Sequence, residues 1–578
     1  MLNLMSVAVE GADRACVERA TESVRRQGFL PATNFEWEGG ALTAWSHPSG
    51  QVADHGEVRT PAGVACCVGP IWYRSNFGRD ALIAILDDID DGAGRIDESQ
   101  VRGNYALFIR TDRCCLLMND ALGFVRIHAS ADRRFYSTSW LASCAYAGSV
   151  EIDEASAIEY VLLGAPHSDA SVARGITTLQ LGGAYDLARR SIQARLNPRD
   201  WCSLPVLPSF DEAVAQIAHY LKASSHEVAS AFPGRVRAAL SGGFDSRLIV
   251  ASLLACGSRP QLFVYGSSDS SDVPVAREAA RGVDLPLQHI DKQALGQGLS
   301  EPDLDSLVEN ALFFDGLSND GIHDAGIDRR TRLAQTASGG IALNGGGGEI
   351  FRNYFHLPDH PFHAVDVVQA FYRGFSKKVF RLADGLGAYR DRMVASIEHS
   401  LGLDQGWSDR VLTRGQVELL YPLFRCHFWM GLNNSVATRH GYYMTPLIDL
   451  NTVQLTWNLP LGWKNAGRLE SRLIATLHAE LANQPSSYGF RFTDGPDWRA
   501  RFSEWSTRMR PVRVRPVINA LHRHLADAAV PTALAERCRS LLPGEWRLDP
   551  ILDLAKLPDA GAFARALAIE VVWRKLLD

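Results

Sequence analysis

The residues best suited to chemistry in this chain are Ser241-Gly242-Gly243-Phe244-Asp245-Ser246. An apolar run from Val236 to Leu240 precedes them and predicts a buried strand, and Arg247 to Leu254 predicts a helix after them. A strand, a glycine turn with small hydroxyls and a helix start form an arrangement that grips phosphate. Glycine lets the backbone approach an anion closely. The free N–H groups at the helix start point at the anion, and the helix dipole favours its charge. A carboxylate in the same loop would repel phosphate, so Asp245 makes chemical sense as the ligand of a Mg²⁺ that the phosphates share.

The elements around this loop must hold it where anions bind in open α/β sheets. After its helix comes a predicted strand, Gln261 to Tyr265, then a helix from Asp272 to Arg281 and a strand-like run from Leu285 to Ile290. Strand–helix–strand order at this spacing predicts a parallel sheet with helices on its faces. A further strand-like run, Ile341 to Leu343, ends in Asn344 and four glycines, and from about residue 363 the chain reads as mostly helical. Before residue 205 the pattern differs. Short β-like runs (105–109, 114–118 and 135–138) alternate with turn-forming segments, which predicts a layered, β-rich unit. Helical periodicity takes over with the segment from Asp211 to Lys222. Two domains are expected, 1–205 and 206–578.

Bulk properties narrow the functional classes. Hydrophobic residues make up 46% and charged residues 21%, as in a globular protein with sizeable cores. The formal net charge of −6 offers nucleic acid no general attraction. No apolar run reaches membrane-spanning length, and Met1 to Met5 lacks a basic leader segment, so a cytoplasmic protein is expected. The ten cysteines form no C-x-x-C. The vicinal pairs Cys66-Cys67 and Cys114-Cys115 read as small apolar strand residues in a reduced compartment. His356, His360 and His363 have spacing that could bind metal, but Pro358 and Pro361 interrupt them, and they read as loop histidines. The arginines between Arg499 and Arg523 read as a solvated or phosphate-facing loop, or as a surface for an acidic peptide.

The order Ser-Gly-Gly-x-Asp-Ser resembles the pyrophosphate loop of the ATP pyrophosphatase superfamily, which includes the asparagine synthetases. Gly103-Asn104-Tyr105-Ala106-Leu107, Asp120-x-x-Gly123, Phe135 to Ser139 and Ala157 to Tyr160 follow the order found in the glutaminase-type domain of those enzymes. The resemblance implies mixed α/β and α+β architecture. An Ntn-hydrolase-like layered domain is followed by a parallel-sheet ATP pyrophosphatase domain with a helical tail. It implies ATP and Mg²⁺ as cofactors, with Ser241, Gly242, Gly243, Asp245, Ser246 and Gly347 around the nucleotide. Glu349 matches the second metal-holding carboxylate of the family, one methylene longer than the usual Asp. Asp245 and Glu349 on neighbouring strand ends would share the ion.

One departure bears on the reaction. Glutamine-dependent members attack glutamine with a cysteine that follows the initiator Met, whereas position 2 here is Leu2. Without ammonia from glutamine, the nucleophile must be an amine already carried by a substrate. That resembles the β-lactam synthetases and the macrolactam synthetases of lasso peptides, which adenylate a carboxylate and let an amine of the same molecule attack it. An amine held in place in this way gains an effective molarity of roughly 10⁵ M or more. The expected partners are therefore a carboxylate- and amine-bearing peptide or small molecule and a precursor-processing protein, with no nucleic acid and no membrane. A glutamine-dependent amidotransferase with a misassigned start and a nucleotide-binding scaffold are the alternatives.

Acyl transfer needs a base and a positive charge beside the oxyanion. In the β-lactam synthetases a Tyr–Glu dyad and a Lys supply them. Glu418 and Tyr421, three apart on a predicted helix, are the matching candidates for the dyad. Gly489 stands where the lysine is expected, so Arg491 or Lys464 is left to supply the charge.

Overall fold

The computed structural model describes residues 1–48, 56–91, 96–196, 207–297, 301–319, 321–403, 410–518, 530 and 532–577. The expected boundary near residue 205 lies outside the described residues. Strand alternation organises the first half. In Leu4–Val9, Met5, Val7 and Val9 face one core while Leu4 faces another. Cys66 and Cys67 likewise point to opposite sides of the strand Gly63–Val68, as small apolar strand residues should. Nine cysteines are free among the described residues.

Two six-stranded antiparallel sheets result. One centres on Leu4–Val9, which lies between Phe135–Ser137 and Gly40–Ser46; the other centres on Ala106–Arg110 and Cys115–Asn119. Their inner faces share one apolar core. The helices Arg14–Arg26 and Trp140–Ala147 cover the outside of the first sheet, and Arg79–Asp91 covers the second. The layers therefore run helix, sheet, sheet, helix, and the central strands of each sheet are covered on both faces, while the edge strand Leu30–Trp37 stays largely exposed.

The second half is built on a five-stranded, all-parallel sheet. Its order is Leu287–Ile290, Gln261–Tyr265, Val236–Ala239, Ile341–Leu343 and Tyr442–Met444. The chain starts at the central strand, winds outward to one side, then crosses to the other. The strand order therefore reverses between Val236–Ala239 and Ile341–Leu343. In open α/β sheets the carboxyl ends of the strands at such a reversal leave a crevice where ligands bind.

Three elements differ from expectation. The fifth strand, Tyr442–Met444, lies in the stretch read as helical, because three residues paired on one edge carry too little period to be seen. The first long helix runs Phe210–Ala231, beyond the expected Lys222. The helix after the glycine loop already begins at Phe244, which places Asp245 and Ser246 inside its first turn.

The two halves share an apolar core and also meet through polar groups. Asp315 accepts hydrogen bonds from the Ser139 hydroxyl and the Trp140 amide, both at 2.6 Å, and pairs with Arg439 at 3.1 Å. Asn104 Oδ1 accepts the Thr445 amide at 2.8 Å. Asp120 is spent locally, accepting the amides of Leu122, Phe124 and Val125. These first-half motif residues therefore build a turn and an interface. Among the described residues no helix is long and apolar enough to cross a membrane.

Candidate functional site

A cavity of about 590 Å³ opens at the strand-order reversal. Ser241, Asp245 and Ser246 line it from the glycine loop, and Asn344, Gly345, Gly346 and Glu349 line it from the neighbouring turn. The loop is braced from within. Ser246 Oγ accepts the Ser241 amide at 2.9 Å, and Ser241 Oγ accepts the Gly243 amide at 3.2 Å. Gly243 sits at the N-cap and has no side chain to cap the helix, so the helix start keeps its positive dipole end uncovered.

Two glycines are needed for close approach. A Cβ on Gly242 would lie 2.7 Å from Ser487 Cβ, under the 486–492 segment, whose Ser487 amide donates to the Gly242 carbonyl. A Cβ on Gly348 would lie 2.3 Å from Asp245 Oδ1. The second turn is thus pressed against the carboxylate of the first. Gly347 adopts φ 91° and leads into the short turn Gly348–Phe351 that aims Glu349 at the cavity. Gly347 itself packs on Ile448, so it shapes the turn without lining the cavity.

Asp245 and Glu349 do come together, but around a cation that sequence spacing alone does not reveal. Arg352 Nη2 donates to both Asp245 oxygens at 2.8 Å and lies 3.8 Å from Glu349, while its Nε lies 3.0 Å from Glu470. Burial pushes the Asp245 carboxyl up; Arg352 pulls it back and Glu349 pushes it further up, leaving it above the ordinary carboxylate range. Glu470, fully buried, is raised well above that range by its burial and by Asp245. Burial works against the Arg352 charge, but the three carboxylates overcome it and hold the guanidinium firmly protonated. Three acids therefore close on one base, and two of them, Asp245 and Glu349, stand at the cavity wall.

The rest of the wall is mixed. Tyr421 donates its hydroxyl to Glu349, and its ring lies 4.4 Å from that of Tyr354. Burial raises the phenol of Tyr421 well above its ordinary value and pushes that of Tyr354 up to about 12. The guanidinium of Arg425 sits 4.1 Å over the Trp429 ring. On the opposite wall Asp328 is held by Lys292 and by Arg332, whose Nε donates at 2.7 Å. Burial alone would raise Asp328, yet these two cations keep it below its ordinary value.

The acyl-transfer candidates fare differently. Glu418 does not join Tyr421. It turns away into a buried cluster, 2.8 Å from Arg414 and 3.2 Å from Lys464 Nζ. The helix Arg414–Leu420 widens into a π-helical stretch at Tyr421, and a buried carboxylate goes to the cations that neutralise it. Tyr421 instead finds Glu349. Arg491 is exposed and bonded to Asn483 at 3.4 Å, away from the cavity, because Phe492 beside it is the residue that packs inward on Phe244. Lys464 is buried against Glu418, and burial lowers its ammonium below the ordinary lysine value.

Lys292, Arg332 and Arg425 are the cations that do line the cavity. The spacing Tyr421, Arg425, Trp429 is the one local sign of them, since residues four apart share a helix face. Lys292 and Arg332 come from separate helices, and nothing local marks them.

Among the described residues no group of three or more His, Cys, Asp or Glu converges as a metal cage. The pair Asp245 and Glu349 still fits Mg²⁺, which commonly takes one or two carboxylates and completes its shell with water and phosphate oxygens. No family model matches the chain, and a search of the curated proteins finds none that matches it.

Proposed function

We propose that the protein is an ATP-dependent ligase that adenylates a substrate carboxylate, releases pyrophosphate and forms an amide with an amine of the same molecule. The observation that carries this reading is the meeting of two glycine turns at the strand-order reversal. An uncapped helix start and two carboxylates there face one cavity. The parallel sheet with its Ser-Gly-Gly-x-Asp-Ser loop suits an ATP pyrophosphatase domain, and the four layers of the first half suit an Ntn-hydrolase-like domain. In this reading the amides of the Ser241–Ser246 loop bind phosphate oxygens, with the helix dipole aiding them. Asp245 and Glu349 would hold Mg²⁺, which when bound neutralises phosphate charge as pyrophosphate leaves. Arg425, Lys292 and Arg332 supply positive charge on the walls, the requirement that Arg491 and Lys464 do not meet. Tyr421, hydrogen-bonded to Glu349, is the hydroxyl best placed to pass on the proton of an attacking amine. Closure of a peptide macrolactam or of a small lactam ring both fit a cavity of this size.

The test is carboxylate-dependent exchange of labelled pyrophosphate into ATP, run beside Mg-dependent ATP binding. Exchange in the wild type and its loss in Asp245→Ala is the expected result. Failure of the wild type to bind ATP with Mg²⁺ would overturn the assignment.

A further inference from the structure

We propose that the surface formed by the helix Trp498–Arg508 and the segment after it docks an acidic amphipathic polypeptide beside the catalytic cavity. Trp498, Phe502, Trp505 and Met509 stand at i, i+4, i+7 and i+11, so they form one stripe along the helix. All four are exposed, Trp498 by 70% and Phe502 by 60%. Val514 and Val517 extend the apolar surface. Six of the eleven large hydrophobic residues exposed among the described residues therefore fall within 498–517. Isolated exposed hydrophobics are ordinary, whereas a contiguous stripe marks an interaction site.

The surrounding charge selects the occupant. Residues 497–517 hold six arginines against Asp497 and Glu504, in a chain whose formal charge is −6. Asp497 is spent on capping the helix, and Glu504 lies 3.9 Å from Arg508. Arg499, Arg501, Arg510 and Arg513 remain exposed along the stripe. A partner helix with apolar residues on one face and carboxylates beside it would match both features.

Its position relates this surface to the site. Arg515 is buried and donates to the carbonyls of Phe355 and His356, which follow directly on Arg352 and Tyr354. The helix also packs on Asn465–Gly467, and a Cβ on Gly467 would strike the Phe244 ring of the phosphate-type loop. A polypeptide held here would lie at the edge of the cavity, which suits delivery of a peptide chain better than it suits a lipid surface.

The full-length protein is titrated into a fluorescent helical peptide with leucines on one face and glutamates on the other, and into a control with lysines in place of the glutamates. Parallel samples measure co-sedimentation with phosphatidylglycerol vesicles and oligomeric state. Selective binding of the acidic peptide is expected, weakened by salt and by at least about tenfold in Phe502→Ser/Trp505→Ser and in Arg501→Glu/Arg510→Glu. Equal binding of the lysine peptide, or unchanged binding in the folded variants, would overturn the proposal. So would preferential capture by vesicles, or a dimer that the same substitutions dissolve. No nucleotide is present, so failure here leaves the ligase reading standing, and failure of pyrophosphate exchange leaves this one standing.

Discussion

Two buried charge clusters in the second half carry opposite imbalances. Around Glu418, two cations (Arg414 and Lys464) close on one carboxylate, and none of the three lines the cavity. Around Arg352, three carboxylates close on one cation, and two of them face the cavity. The first cluster is shut away from ligands and behaves as structure. The second sets two carboxylates at the cavity beside an uncapped helix start, an arrangement that would suit a magnesium–phosphate complex. Chemistry is therefore expected where the carboxylates face the cavity, and stability where the cluster is closed.

The comparison breaks most visibly at Glu418. Glu418→Ala leaves Arg414 and Lys464 buried without their carboxylate, and should cost about 3–5 kcal/mol in chemical denaturation. A loss well below this would mean that water reaches the cluster. Asp245→Ala should do the reverse. Exchange activity should fall by about 10²–10³-fold, as on removal of a preorganised charge-stabilising group, with little change in the denaturation midpoint. A variant that keeps its activity but loses stability would place Asp245 with the closed cluster instead.

Gly348→Ala tests the close approach of the two turns. The added methyl meets the Asp245 carboxylate, so stability should drop by about 1–3 kcal/mol and Mg-dependent ATP binding should weaken. Unchanged ATP binding would separate the second turn from the site.

The smallest effect should come from pH. Glu470 is raised by burial and by Asp245 above its ordinary 4.5, so the folded chain holds this proton more tightly than the unfolded chain. Its contribution to stability is therefore greatest below about 4.5 and is lost as pH rises through the elevated folded value. Glu470→Gln should flatten that fall and raise stability at neutral pH relative to the wild type. Urea midpoints measured across pH for both proteins check the sign, and a steeper fall in the variant would refute it.

Much of the fold was legible in the chain because its signals are short-ranged. The strand before Ser241, the helix after it and the Ile341–Leu343 strand each lie within one window of periodicity or next to a glycine turn. The strand Tyr442–Met444 was not legible, since it makes sense only beside Ile341–Leu343, a neighbour about a hundred residues away. The site divides in the same way. Asp245 could be singled out because it sits in a glycine turn, and Glu349 because the family resemblance matches it to a metal-holding carboxylate. The hydrogen bond from Tyr421 to Glu349 spans 72 positions, and local spacing pointed to Glu418 instead. A short motif points to Arg491, but side-chain direction in a loop depends on which neighbour packs inward, and there Phe492 prevails.

By itself the sequence determined where the backbone must turn closely and that the strands on either side of the glycine loop's helix run parallel, because glycine and periodicity act over a few residues. Tertiary structure alone decided which carboxylates share Arg352, which are neutralised by Lys464, and which cations reach the cavity. Charge pairing in a low-dielectric interior is set by distance in space, and a chain of this length brings together residues that no local pattern relates.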